Sequence, residues 1–82
     1  MAMNRTREEV IEIISGFIDE SLEIYDWDDF TSIPIRDTGL DKIRLECLYL
    51  PINYPPDRKG YFCNSEGIER LKSFLDRLKM PL

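Results

Sequence analysis

From Thr6 to Tyr25 the chain carries one unbroken helical pattern, and this pattern constrains the fold more than any other feature. Val10, Ile11, Ile14, Phe17, Ile18, Leu22 and Tyr25 share a broad face at 3.6-residue spacing. Ile13 and Ile24 widen that face, while Glu12, Asp19 and Glu23 lie opposite. Thr6-Arg7-Glu8-Glu9 reads as a capping box, in which the Thr6 hydroxyl accepts from the Glu9 N–H and the Glu9 carboxylate accepts from the Thr6 N–H. The early acids also suit the positive end of the helix dipole. The pattern predicts a helix from about Arg7 to Tyr25. Gly16 within it either weakens the helix or admits a close neighbour.

Beyond Tyr25 the signals are shorter. Trp27 and Phe30, spaced i, i+3, suit one short helical turn with both rings on one side. Thr31–Asp37 is a connector, with Pro34 pushing Ile33 toward extended geometry. Asp37 is a candidate N-cap for a second helix, on which Leu40, Ile43, Cys47 and Leu50 form a stripe that Pro51 stops. The alternation over Ile43–Cys47 also fits a strand, and with residues 30–35 as its partner the fold becomes α+β with a small hairpin at 30–49. Pro51–Pro56 is expected to be extended or polyproline-like, and Asp57–Gly60 a turn in which Gly60 can take a positive φ. Tyr61-Phe62-Cys63 is a short apolar run over the core edge. Asn64 or Ser65 caps a last helix with Ile68, Leu71, Phe74, Leu75 and Leu78 as its stripe, and Pro81 follows it. The expected fold class is all-α, a small bundle of three main helices plus a short helical turn, with a proline-rich crossover before the last helix. Its 82 residues form a single domain, 1–82, with a thin core.

Charge divides the chain. Residues 1–35 carry nine acids against Arg5 and Arg7, whereas residues 36–82 carry a slight basic excess. From Glu8 to Ile35 there is no positive side chain. Such a field repels phosphates, so no nucleic-acid partner is expected. It attracts a basic protein surface and speeds the encounter with it. No apolar run approaches membrane-spanning length and the start, Met1–Arg5, has no apolar signal-type segment, so no membrane partner and a cytoplasmic location are expected. In that compartment Cys47 and Cys63 are free thiols.

Several chemistries lack their residues. There is no histidine, which removes imidazole bases and histidine metal ligands. The four glycines are scattered and form no phosphate loop. Asp26, Asp28 and Asp37 can be laid on positions 1, 3 and 12 of a calcium loop, but Phe30, Thr31 and Pro34 then occupy positions that need polar ligands or glycine. Cys47 lies on an apolar stripe, whereas Cys63 precedes a helix N-terminus that would lower its pKa, making it the one thiol with an enzymatic reading. No catalytic residues, metal or cofactor are expected. Candidate partner-binding residues are Glu23, Asp26, Trp27, Asp28, Asp29 and Tyr54, against either a basic protein or a second copy of the chain. Trp27 also has a reading as a core anchor.

The sequence Trp27-Asp28-Asp29-Phe30, followed by Ile43-Arg44 with Cys47, Tyr54-Pro55-Pro56, and Cys63 with Glu66-Gly67, resembles that of small bacterial proteins of unknown function. This resemblance implies no activity. In size, acidity and helical layout the chain is similar to the immunity proteins of DNase colicins. Those are small acidic bundles in which acids and a Tyr-Tyr-Pro element meet a basic toxin, and Tyr54-Pro55 is the counterpart here. What that similarity implies is an inhibitor-like protein binder.

Overall fold

The computed structural model describes residues 2–80. These form five helices: α1 (Arg7–Ile18), α2 (Ile24–Ser32), α3 (Thr38–Leu48), α4 (Leu50–Asn53) and α5 (Ser65–Lys79). The all-α expectation holds, with three differences, the first being the early end of α1. The turn expected around Trp27 is a nine-residue helix, and a one-turn helix lies where extended chain was expected. Among the described residues no strand forms at 30–49. The one β-type contact is an isolated bridge between Met3 and Ile35, which ties the N-terminal segment to the α2–α3 connector.

Helix α1 starts as its capping box requires, with Thr6 Oγ1 accepting from Glu9 N at 3.1 Å and Glu9 Oε1 accepting from Thr6 N at 3.2 Å. It ends at Ile18 rather than continuing to Tyr25. Glu20 takes a left-handed φ of 64°, and the N–H groups of Ser21 and Leu22 both turn back onto the Gly16 carbonyl at 2.9 and 3.1 Å. These bonds satisfy a carbonyl that the helix end leaves orphaned. Asp19 Oδ1 braces the bend by accepting from Ser21 N at 2.9 Å and Ser21 Oγ at 2.6 Å. Those bonds hold the Asp19 carboxyl below its ordinary value. Gly16 is a point of close approach, since a Cβ there would sit 3.2 Å from Leu22 Cβ. The apolar spacing runs on through Leu22 and Tyr25, but the backbone has changed direction. Ile24 and Tyr25 are consequently exposed, not core.

Helix α3 follows its expected cap and stripe. Asp37 Oδ1 accepts from Leu40 N at 3.0 Å, and Leu40, Ile43, Cys47 and Leu50 are buried. Pro51 does not begin an extended segment. It sits in the first turn of α4, where its missing N–H has no helical partner to lose. The irregular crossover therefore begins at Tyr54. Gly60 in its turn has φ 90° as expected. Asn64 caps α5 by accepting from Gly67 N at 3.0 Å. On α5, Leu71, Phe74 and Leu78 are buried, while Ile68 and Leu75 pack at the margin. Helix α1 lies mainly on α5, and α2 lies between α1 and α3.

A buried cation secures the α2–α3 corner. Arg44 is only 6% exposed, and it donates from Nη1 to the Thr31 carbonyl at 2.8 Å and from Nε to Asp41 Oδ1 at 2.6 Å. The same Asp41 oxygen accepts from Ile35 N at 2.9 Å. The Arg44 hydrogen bond, then the one from Ile35, hold the Asp41 carboxyl below its ordinary value of 3.8. A carboxylate with a lowered folded-state pKa stabilises the fold above the unfolded value, and this contribution is lost as the pH falls through the folded value. Asp41→Asn should therefore destabilise the protein at a pH of about 6 and do so much less at about 3, as read by urea unfolding at the two pH values. An equal loss at both would mean that the carboxylate charge is not what Asp41 contributes.

The start of α5 packs closely on the crossover. A Cβ at Gly67 would lie 2.8 Å from Cys63 Sγ, 3.0 Å from Cys63 Cβ and 3.1 Å from Tyr54 Cβ. Overpacking of this kind costs about 1–3 kcal/mol, more than the roughly 1 kcal/mol that alanine gains over glycine in a helix. Gly67→Ala should lower Tm by about 4 °C or more in a thermal scan. An unchanged or raised Tm would show that Cys63 and Tyr54 shift without penalty.

Candidate protein-interaction surface

Helix α2 carries most of the candidate residues, and its own periodicity sorts them. Trp27, Phe30 and Thr31, at i, i+3 and i+4, are buried. Glu23, Ile24, Tyr25, Asp26, Asp28 and Asp29 remain exposed. Among the described residues no Lys or Arg nitrogen lies within 4.0 Å of the carboxylates of Glu23, Asp26, Asp28 or Asp29. The four acids thus stand on one short helix without a neutralising ion pair. Asp26 and Asp29 line a shallow hollow that also contains Glu12 and Arg5. Arg5 is paired with Glu9 at 3.7 Å and lies 5.9 Å over the Phe30 ring, moderating the negative field on that side.

Two of the expected contact residues belong elsewhere. Trp27 is 2% exposed and serves as an anchor between elements. Its ring stacks on Phe17 with centroids 3.9 Å apart and planes at 21°, meets the face or edge of Phe62 at 5.9 Å and 86°, and lies 5.6 Å from Phe30. Phe17 and Phe62 meet in turn at 5.3 Å and 80°. These are the stacked and edge-on arrangements that the ring quadrupoles favour. The Trp27 Nε1–H has no acceptor among the described residues. Tyr54 is half-buried beside Gly67, and it lines a hollow with Glu46, Leu50, Asn53 and Arg70 rather than with the α2 acids. Its burial and position make it a packing residue at the α4–α5 junction.

The aromatic stack underlies a groove that individual motifs did not reveal. Between the α1–α2 bend and residues 60–63 lies an apolar concavity of about 390 Å³. Ile24 forms part of one side and Tyr61 and Phe62 part of the other, with Trp27 between. Among the described residues, Glu20 and Glu23 are its only charged lining residues. Ile24 is 70% exposed and Tyr61 54%, so two large apolar side chains face water at its rim. The sequence carries no signal for this site, because only the helix break turns Ile24 outward and the apolar spacing runs on through that break.

The thiols are poorly placed for chemistry. Burial pushes the Cys47 thiol up to about 12, with Glu46 adding to the effect. Burial also pushes the Cys63 thiol up, opposite to the activation expected beside a helix N-terminus. Both thiols are free and buried. In the native protein at about pH 8, neither should react with an aromatic disulfide reagent on the timescale of a free thiol, and both should react in denaturant. Native-state reaction of Cys63 at the rate of a free thiol would show that it is open to reagents.

No group of three or more potential ligands that could hold a metal ion occurs among the described residues, and no helix there is long and apolar enough to cross a membrane. Comparison of the chain with protein-family models, curated proteins and solved structures gave no match.

Proposed function

We propose that the chain is a non-enzymatic binding module, of the inhibitor or immunity type, acting in the cytoplasm on a protein partner with a basic surface. The observation that carries this reading is the group of exposed acids on α2 and at its N-cap, Glu23, Asp26, Asp28 and Asp29, none of them in an ion pair with a described residue. Such a group adds little to folding. It lowers stability slightly through like-charge repulsion, and its use is in steering a cationic partner. Exposed Ile24 and Tyr25 beside it supply the apolar contact that charge alone does not. Replacing Asp26, Asp28 and Asp29 together by lysine leaves every buried contact in place. That variant should keep its helical circular-dichroism spectrum and lose partner capture at low salt by at least tenfold. Capture unchanged by the triple reversal overturns the proposal.

A second reading rests on a different observation. Leu45, Leu48, Tyr49 and Ile52 are all exposed, and their spacing is that of one helical stripe across the α3–α4 junction. This favours self-association through that junction, with no separate ligand. Sedimentation should then report a dimer at micromolar concentration that Leu48→Glu dissolves, and a monomer there removes the reading.

A further inference from the structure

We infer that the groove between the α1–α2 bend and residues 60–63 seats one large aliphatic or aromatic side chain of the partner, with Glu20 and Glu23 holding a lysine or arginine next to it. The inference rests on the binding-module reading and adds to it a position, a residue class and an order of contacts. An exposed acidic row by itself gives a fast encounter but weak retention, because exposed ion pairs contribute only about 0–1 kcal/mol each. Retention needs an apolar anchor that leaves water. The groove supplies a place for one. Its volume, about 390 Å³, is at the lower end of the range for ligand pockets, a size suited to a side chain more than to a cofactor.

Charge selects the occupant. Among the described residues, the only ionised groups lining the groove are the two glutamates, both at the α1–α2 bend. An acidic or purely neutral segment would gain nothing from them, whereas a basic amphipathic segment pairs with them as its apolar residue enters. Arg58 and Lys59 precede Gly60 without lining the groove, and Arg58 lies over the Tyr61 ring at 5.9 Å. The occupant's basic side is therefore directed toward Glu20 and Glu23 at the α1–α2 bend. The groove's underside is the Phe17–Trp27 stack, which is packed before any partner arrives. Binding then needs no reordering of the floor, and that loss of freedom has already been met in folding.

The test uses the full chain and a short amphipathic peptide of leucine and lysine as the probe, followed by Trp27 fluorescence and by backbone amide shifts. The expected result is saturable binding with shifts centred on Ile24, Gly60 and Phe62. Ile24→Ser combined with Tyr61→Ser should weaken it at least tenfold without changing Tm, since both side chains are exposed. Glu20→Gln with Glu23→Gln should weaken it and flatten its salt dependence, and Leu45→Ser on the opposite side should do neither. If a serine–lysine peptide binds as well as the leucine–lysine one, and only the α2 charge reversal abolishes it, the groove inference is overturned while the acidic-face reading stands. If the groove variants abolish binding and the α2 reversal does not, the anchor stands and the broader acidic-face reading falls. Equal binding of a neutral leucine–serine peptide, or dimerisation of the chain through Ile24 and Tyr61, would also overturn the inference, giving the groove to a neutral ligand or to a second copy.

Discussion

The stacking of Phe17 on Trp27, closed by the edge-on ring of Phe62, is the contact on which the arrangement of this molecule depends. It joins the end of α1, the middle of α2 and the segment before α5. A continuous helix from Arg7 to Tyr25 could not make it. Phe17 and Trp27 are ten residues apart, and in one helix their rings would be separated by about 15 Å of rise. Bringing them to 3.9 Å requires the chain to reverse between them, which the bend at Asp19–Leu22 accomplishes. Burial of three aromatic rings favours the reversal, and the αL residue Glu20 opposes it by an amount on the order of 1–2 kcal/mol. Aromatic burial of this size outweighs that strain. The exposure of the α2 acids follows from the same contact, because seating Trp27, Phe30 and Thr31 inward leaves Asp26, Asp28 and Asp29 spread over the rest of the helix surface, facing water.

The second constraint is electrostatic. Arg44 is a buried cation that binds the last turn of α2 through the Thr31 carbonyl and its own helix through Asp41. Charge-assisted hydrogen bonds of this type contribute about 1.5–3 kcal/mol, but the desolvation of the guanidinium is of similar size. The net effect on stability is therefore small compared with its effect on geometry. Thr31 oxygen and Ile35 nitrogen both answer to the Arg44–Asp41 pair, so the connector can leave α2 in one direction only. The stack fixes α2 against α1, and this pair fixes it against α3.

Legibility in the sequence followed the range of the interactions. The Thr6–Glu9 box and the Asp37 and Asn64 caps were readable because each involves residues three apart. The Leu40–Cys47 and Leu71–Leu78 stripes were readable for the same reason. The break after Ile18 was not, because Leu22 and Tyr25 continue the apolar spacing, while the residue that breaks the helix is a glutamate in a conformation favoured by glycine. Pro51 was ambiguous in principle: proline ends one helix and suits the first turn of the next. The role of Arg44 was not legible, because the carbonyl it binds lies thirteen residues away. In the candidate site the acids were legible as a charge run, and Gly60 as a turn. The groove was not, because it unites residues 17–27 with 60–63; for Trp27 the sequence left a contact reading and a core-anchor reading open, and its neighbours decide for the anchor.

The candidate surface and the core are separable on one side and shared on the other. The α2 acids touch no buried residue's packing, so their charge can vary with little effect on the fold. Trp27 and Phe62 cannot vary in this way, since the rings that line the groove also join three elements of a small core. A domain of this size has few buried rings to spare, and its groove is shaped by the contact that closes its fold. On the proposed binding reading, specificity would reside in the exposed rim, in Glu20, Glu23, Ile24 and Tyr61, where a side chain can change without disturbing the stack beneath it.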